Sequence, residues 1–225
     1  MENEEIPTEL IIGKDIQLEK ISEIFPKTNE PSEYLRITDV GLYSITKKNE
    51  AYFISNLITK YFGETKITIT DSTACCGGNT ISFLLHPQIM MINSIELNQL
   101  HFNILKNNIK LYKNCTKVNL INGNFIDYMN ELKQDVIFYD LPWGGVKYGE
   151  KESITLGLYK NNEFMNIAEI INILKENCKL QVLKIPLNFD FTNFLKDIEY
   201  TKIKIHKIYN KFTKKLGYFI LILIS

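Results

Sequence analysis

The residues best suited to chemistry stand together in the segment FYDLPWGG, residues 138–145. The apolar run over residues 135–139 predicts a buried strand that stops at an acid, and open α/β sheets bind ligands at the carboxyl ends of their strands. This strand end would present the carboxylate of Asp140, the carbonyl of Leu141 or its neighbour, and the flat ring of Trp143. Two such oxygens can accept the protons of an amine while an aromatic ring stacks on its base. The segment therefore predicts a site for a planar base with an exocyclic amine.

Two features earlier in the chain predict that a nucleoside binds beside this strand end. The stretch TDSTACCGG, residues 70–78, is a turn of small residues between a strand and a helix, which lets a ligand approach the backbone. Glu96 ends the next predicted strand, roughly twenty residues after Gly78, where an acid can accept both ribose hydroxyls. Asn124 follows the third strand and could bond an adenine amine. No Gly-x-Gly-x-x-Gly signature is present, which argues against a pyrophosphate and favours S-adenosylmethionine.

Composition limits the class of protein and its partners. The 225 residues suffice for one sizeable α/β domain, and the 45% hydrophobic and 23% charged content is ordinary for a globular protein. Basic and acidic residues balance at 26 each, so contact with a nucleic acid should be local, not a long phosphate-tracking groove.

The four cysteines show no Cys-x-x-Cys spacing and no histidine close in sequence. They are Cys75, Cys76, Cys115 and Cys178. We therefore expect reduced thiols and no metal site.

Targeting signals are not apparent. The first residues are acidic, unlike a signal peptide, and the apolar run 218–224 is too short to cross a bilayer. We expect an intracellular protein without a membrane partner, and the sequence does not separate cytoplasm from nucleus.

Hydrophobic periodicity predicts strands alternating with helices from residue 66 onward. The expected strands are 67–71, 89–96, 118–122, 135–139 and 179–185, and the expected helices are 77–85, 98–112, 125–132, 162–177 and 191–198. A polar loop is expected over 147–158, and two antiparallel strands over 202–209 and 216–224. Upstream, we expect a short helix over 15–25 and a longer one over 47–62 with Thr46 as its cap. This alternation predicts an α/β fold with a mostly parallel sheet.

These motifs, in this order, resemble the catalytic domain of the trimethylguanosine synthase family, the RNA cap guanine-N2 methyltransferases. The similarity runs from about Leu35 to the C-terminus. Its most specific part is residues 140–145, which match Ser-Pro-Pro-Trp-Gly-Gly. Further matches are Gly41–Thr46, Asp71 with Gly77–Thr80, Ile95-Glu96, Gly123–Phe125 and Ile185–Asn188.

The resemblance implies a Rossmann-like class I methyltransferase fold, with a mostly parallel seven-stranded sheet, helices on both faces and a C-terminal antiparallel strand. It implies a catalytic domain over residues 47–225, an extension over 1–46 that contributes to the site, S-adenosylmethionine as cofactor, and a capped RNA as partner of a monomer. The implied catalytic residues are Asp140, Pro142 and Trp143, and the implied substrate-binding residues are Arg36, Trp143 and Asn188. The implied cofactor-binding residues are Thr46, Asp71, Ala74, Gly77, Asn79, Thr80, Glu96, Asn124 and Asp140.

Four positions depart from the family pattern. Cys75 replaces a loop glycine, Asn124 replaces an acid, Asp140 stands where the family has serine, and Leu187 replaces an arginine. Two alternatives therefore remain beside cap guanine-N2 methylation. One is an adenine N6 methyltransferase, whose Asp-Pro-Pro-Trp or Tyr corner uses similar chemistry. The other is a methyltransferase-like binding subunit without catalysis.

Overall fold

The computed structural model describes residues 10–12, 18–210 and 213–225. The strands in this part of the chain are β1 (Leu10–Ile12), β2 (Arg36–Thr38), β3 (Ile67–Asp71), β4 (Ile89–Glu96), β5 (Val118–Asn122), β6 (Val136–Tyr139), β7 (Gly157–Lys160), β8 (Glu163–Asn166), β9 (Leu180–Ile185), β10 (Ile203–Tyr209) and β11 (Leu216–Ile224). The α-helices are α1 (Leu18–Ile24), α2 (Asp39–Ser44), α3 (Lys48–Thr59), α4 (Gly78–Leu85), α5 (Gln99–Lys110), α6 (Phe125–Tyr128), α7 (Ile167–Ile173) and α8 (Phe191–Asp197).

Seven strands form the central sheet, in the order β10-β11-β9-β6-β3-β4-β5. The pairs β3–β4, β3–β6, β4–β5 and β6–β9 are parallel, and β11 is antiparallel to both of its neighbours. The chain leaves β3 toward β4 and β5, then returns to β6 on the other side of β3. The order of the strands therefore reverses between β3 and β6, and such a reversal opens a crevice at the carboxyl ends of the strands. The expected Rossmann-like sheet with a C-terminal antiparallel strand is confirmed.

Both faces of the sheet are buried, as the alternation within β6 shows. Val136 and Phe138 pack in one hydrophobic cluster, while Ile137 and Tyr139 pack in the other. Helices α1, α3, α4 and α5 contribute to the first cluster, and α6, α7 and α8 to the second. A strand buried on both sides is apolar throughout, which explains why the sequence reads as continuous hydrophobic runs. None of the described helices is long and apolar enough to span a membrane.

The N-terminal segment packs on the first cluster. Ile24 of α1 and Ile37 of β2 are buried in the same cluster as Ile54 of α3. Of the helix expected over 15–25, residues 15–17 lie outside the described part of the chain, and α1 accounts for most of the remainder. Thr46 does not cap α3, because the residue at the helix start is Lys47, which makes no side-chain cap bond. The hydroxyl of Thr46 instead donates a hydrogen bond to the carboxylate of Asp140, directly after β6.

The region after β6 corrects two predictions. The polar loop expected over 147–158 contains a short 3-10 helix, Tyr148–Glu150, and the first residues of β7. The start of the helix expected over 162–177 is strand β8, which pairs with β7 across Asn161 and Asn162. Both asparagines have positive φ, 51° and 65°, the backbone of a tight hairpin turn. Helix α7 begins only after Asn166, whose side chain accepts a hydrogen bond from the Glu169 N–H.

Candidate functional site

Three acids lie together at the carboxyl edge of the sheet. In the strand register, Asp71 lies opposite Ser94 of β4 on one side and Phe138 of β6 on the other. Glu96 and Asp140 each follow these partners by two residues, so both carboxylates flank Asp71. Their negative charges add to burial in raising the pKa of Asp71. The crevice at the strand reversal is therefore lined with carboxylates.

Asp71 is fully buried and only half of its carboxylate is hydrogen-bonded. Oδ2 accepts a hydrogen bond of 2.6 Å from the Thr80 hydroxyl, while Oδ1 has no partner among the described residues. The pKa of Asp71 is raised to about 7, first by burial and then by the nearby charges of Asp140 and Glu96, while the Thr80 hydrogen bond lowers it. A buried polar atom without a partner is uncommon in folded proteins. Oδ1 is thus a ready acceptor for the donor group of a ligand.

The turn between β3 and α4 lies against the ends of β4 and β6. The Thr73 hydroxyl donates to the Asp140 carbonyl at 2.9 Å, and the Ala74 N–H donates to the Ile95 carbonyl at 2.8 Å. Gly77, with φ 99°, begins α4 in a left-handed conformation that favours glycine. At Gly78 a Cβ would lie 2.9 Å from the Thr46 carbonyl, so only glycine allows this close approach.

Glu96 closes the opposite side of this turn. Its Oε2 accepts from the Cys75 N–H at 2.8 Å, and its Oε1 accepts from the Asn98 N–H at 2.7 Å. Burial raises the pKa of Glu96, although both backbone donors lower it. Each oxygen keeps a second lone pair, so the carboxylate can still accept hydroxyls of a ligand.

Asp140 is held by three donors on a single oxygen. Thr46 Oγ1 at 3.0 Å, Asn79 Nδ2 at 3.1 Å and Lys184 Nζ at 2.9 Å all reach Oδ2. Asn79 and Lys184 also donate to the Thr46 hydroxyl, at 3.1 and 2.8 Å. Oδ1 receives no hydrogen bond from the described residues and the carboxylate remains partly accessible. The cluster thus fixes the carboxylate and leaves one oxygen for a ligand.

Trp143 lies beside this cluster with its ring partly exposed. Lys184 Nζ lies 5.3 Å from the centroid of the indole, over its face. The ring of Tyr148 packs nearly perpendicular to the indole at 5.0 Å, and Tyr218 lies 6.3 Å away. These contacts fix the orientation of the indole next to Asp140.

A family model described as RNA cap guanine-N2 methyltransferase matches residues 66–224, which contain every element from β3 to β11. The chain belongs to this family. Its members transfer a methyl group from S-adenosylmethionine, so the expected cofactor is confirmed. The match begins at residue 66 and so does not include the N-terminal segment, whose Thr46 is hydrogen-bonded to Asp140.

One viral protein is similar to the chain in sequence, and several solved structures are similar to it in fold. An uncharacterized protein, L320, of Acanthamoeba polyphaga mimivirus is 34% identical over 149 residues, which are 64% of this chain and 56% of that protein. The chain therefore spans little more than half the length of this relative. A putative methyltransferase from Porphyromonas gingivalis W83 superposes with a TM-score of 0.58 at 14% identity, over 83% of this chain and 42% of the other.

Two further solved structures also share the fold. Precorrin-6y C5,15-methyltransferase from Geobacter metallireducens GS-15 has a TM-score of 0.54 at 17% identity, over 81% of this chain and 91% of the other. Trm5 of Methanocaldococcus jannaschii in complex with adenosine has a TM-score of 0.51 at 16% identity, over 88% and 53%.

The residues present fit the cofactor of the family. Three buried oxygens between the end of β3 and the start of α4 have no partner among the described residues: Asp71 Oδ1, Ser72 Oγ and Asn79 Oδ1. Such oxygens can accept the ammonium and hydroxyl protons of a nucleoside amino acid. Six of the residues that the resemblance implies for the cofactor lie at this end of the sheet, and their roles toward the cofactor stay predictions: Asp71, Ala74, Gly77, Asn79, Thr80 and Glu96.

The side chains of the other predicted residues are either hydrogen-bonded to backbone groups or exposed to solvent. The Asn124 oxygen caps α6, and its Nδ2 donates to the Tyr159 carbonyl at 2.6 Å. Nδ2 of Asn188 donates to the carbonyls of Tyr148 and Lys151, so Asn188 fastens the loop that carries Tyr148. The side chain of Arg36 is exposed on β2, and Pro142 is exposed beside Trp143. Their roles toward a ligand stay predictions.

Sequence reasoning missed Lys184. The signal was a lysine inside the otherwise apolar strand LQVLKI, because a lysine is almost never fully buried without a partner. The buried partner is Asp140, which the folded sheet brings within 2.9 Å.

No histidine is close to the cysteines in sequence, but the fold brings His101 next to two of them. The sulfurs of Cys75 and Cys76 and a ring nitrogen of His101 lie within 4.8 Å of one another. The Cys75 thiol donates to the Cys76 sulfur at 3.9 Å, which raises the pKa of Cys75 and lowers that of Cys76. His101 stands in the first turn of α5, twenty-odd residues along the chain, so only the fold makes this cluster visible.

Proposed function

We propose that this protein transfers a methyl group from S-adenosylmethionine to the exocyclic N2 amine of the guanine in a 7-methylguanosine RNA cap. One observation carries the proposal: all three hydrogen-bond donors to Asp140 donate to Oδ2, which leaves Oδ1 without a donor among the described residues. The family match supports the guanine-N2 substrate class.

The residues around the amine would orient it. A guanine amine is a weak nucleophile, because its lone pair is delocalised into the ring, so its alignment with the methyl carbon decides the rate. Asp140 Oδ1 and the carbonyl of Leu141 would accept the two amine protons and aim the lone pair. The amine nitrogen becomes positive as it is methylated, and a fixed carboxylate stabilises that charge more than the neutral ground state. Asp140 or solvent then takes the proton.

Lys184 contacts both Asp140 and Trp143 and so limits where a base can bind between them. Its ammonium holds Oδ2 of Asp140 and lies over one face of the indole of Trp143. A base would therefore stack on the part of the indole that Lys184 does not cover. A 7-methylguanine ring is cationic and gains roughly 0.5–2 kcal/mol from a cation–π contact with an indole. The donor would supply the electrophilic methyl group, while Asp140, the Leu141 carbonyl and Trp143 would hold and orient the base.

A substrate panel tests the proposal. The full chain would be incubated with S-adenosylmethionine and, separately, with a 7-methylguanosine cap analogue, the unmethylated cap analogue and an adenine-containing oligonucleotide. We expect methyl groups on the guanine of the first substrate, located and counted by mass spectrometry of the released nucleosides. Methylation of adenine alone would establish the alternative amine substrate. Absence of both donor binding and transfer to any of the three substrates would favour a non-catalytic subunit that has lost its donor site.

A further inference from the structure

Two adjacent thiols and one imidazole form a cluster next to the turn after β3. Cys75 and Cys76 belong to that turn, and His101 stands in the first turn of α5. One atom of each, the two sulfurs and a ring nitrogen, all lie within 4.8 Å of one another. The proposed methyl transfer uses none of these three groups.

The backbone of the turn brings the two sulfurs together. Successive side chains of an extended chain point to opposite sides, which separates adjacent sulfurs. Cys75 instead has φ 49°, a left-handed conformation that is uncommon for any residue with a Cβ. The two sulfurs consequently lie 3.9 Å apart. Two thiolates on one tetrahedral zinc ion, with bonds of about 2.3 Å, lie about 3.8 Å apart, so the observed spacing needs almost no rearrangement.

The imidazole of His101 has an oxygen near each nitrogen. Nε2 lies 3.1 Å from the Thr38 hydroxyl, and Nδ1 lies 4.0 Å from Glu96 Oε1. A histidine that binds a metal through one nitrogen usually donates its other N–H to such an oxygen, which fixes the tautomer and the ring. The nitrogen of His101 that faces the sulfurs can therefore bind a metal, because an oxygen lies near the other nitrogen and can hold it.

Charge and access also suit a metal ion. Cys76 is buried, whereas Cys75 and His101 are partly exposed, so an ion can enter from solvent. Two thiolates and a neutral imidazole carry two negative charges, which one divalent cation neutralises, and a buried charge needs such a partner. Soft thiolate and imidazole ligands select zinc-like ions over magnesium or calcium.

We propose that Cys75, Cys76 and His101 bind one thiophilic divalent ion of the zinc class, with solvent at the fourth position of a tetrahedral site. The ion would tie the turn after β3 to α5. This proposal does not depend on the methyl-transfer activity, because the site needs neither donor nor RNA.

Titration with cobalt(II) tests the site directly. The full-length, reduced, chelator-treated protein would be titrated with Co²⁺ alone and followed by absorption. We expect one ion per chain, with a thiolate-to-cobalt charge-transfer band and the intense visible bands of a tetrahedral ion. Zinc added afterwards should displace the cobalt, and zinc alone should raise the Tm, because a ligand that binds the folded state stabilises it.

Single substitutions separate this site from adventitious binding. Cys75→Ser and His101→Gln, both at partly exposed positions, should each weaken cobalt binding by at least about tenfold, as expected when a direct ligand is lost. Cys115→Ser removes a half-buried thiol outside the cluster and is the matched control, so its titration should match that of the wild type. The proposal is overturned if the wild type shows no charge-transfer band at one equivalent. It is also overturned if Cys75→Ser or His101→Gln retains wild-type affinity, which would mean surface binding only.

Discussion

At the scale of single residues, the site depends on an asymmetric carboxylate. Three donors saturate Oδ2 of Asp140, and the ammonium of Lys184 is the only charged one among them. A side chain held this way cannot rotate freely, so its other oxygen has a fixed direction. Orientation of this kind is how a protein raises the reactivity of a weak nucleophile without a strong base.

Replacement of Lys184 should lower the free energy of unfolding. Lys184→Met removes the buried ammonium and leaves the largely shielded Asp140 carboxylate with neutral donors only, and breaking a buried ion pair typically costs about 3 kcal/mol or more. We expect urea unfolding to show a loss of that size. Lys179→Met breaks the pair with Asp135, whose lysine side chain is 70% exposed, and should cost less than about 1 kcal/mol. Equal losses in the two variants would contradict a buried, structured pair at Asp140.

Asp71 should make stability depend on pH. Its pKa is about 7 in the folded protein and near 3.8 in the unfolded chain. The folded state therefore holds a proton that the unfolded state releases between about pH 4 and pH 7, so this residue's contribution to stability falls as pH rises through that window. Asp71→Asn cannot ionise at this position, so its free energy of unfolding relative to the wild type should increase as the pH rises. Urea unfolding of both proteins at several pH values checks this, and parallel curves would contradict it.

At the scale of elements, the central strands could be predicted and the region after β6 could not. Strands buried on both faces leave apolar runs that the sequence displays, as in residues 136–139. The hairpin of β7 and β8 has no such run, since its residues are mostly exposed or half-buried. Its pairing depends on the turn at Asn161 and Asn162, whose positive φ angles are rare for residues with a Cβ.

Within the site, too, some residues could be predicted from the sequence and others could not. Asp71, Glu96 and Asp140 were predictable because each ends a recognisable strand. The partners of Asp140 were not, because Thr46 and Lys184 are 94 and 44 residues away from it in sequence. Local patterns predict where a strand ends, and only the packed sheet determines which distant side chains meet there.

The hairpin turn gives a prediction at this scale. Asn162→Val places a β-branched residue in a left-handed conformation, which costs roughly 1–2 kcal/mol. Asn162→Gly removes that strain and is the matched control. Hydrogen exchange of the amides in β7 and β8 should become faster in the valine variant and not in the glycine variant, because the hairpin can open locally. Unchanged exchange in both would contradict a turn of this type.

At the scale of the whole molecule, the N-terminal segment and the sheet share one core. Residues of α1 and β2 pack in the same cluster as those of α3 and β3, and Thr46 reaches from this segment into the Asp140 cluster. The expected division at residue 46 therefore separates sequence regions whose buried side chains are in contact. The site sits where the strand order reverses, so sheet topology and the N-terminal segment together position its residues.

Such a molecule should unfold cooperatively. The chain has a single tryptophan, Trp143, whose fluorescence reports on the site, while far-ultraviolet circular dichroism reports on all helices and strands. We expect the two signals to change at the same urea concentration, as in a two-state transition. An earlier circular-dichroism step, with Trp143 unaffected, would contradict a shared core and indicate a separable N-terminal region.

The most direct test of the account is the single-turnover rate of Asp140→Asn on the 7-methylguanosine cap analogue, with the donor saturating. Asparagine keeps the shape of the side chain and removes the charge that would stabilise the methylated amine. At saturating donor we expect a rate lower by about 10²–10³-fold, the usual effect of losing one preorganised electrostatic contact. A rate within about threefold of the wild type, well under the tenfold that 1.4 kcal/mol represents, would contradict the role given to Asp140.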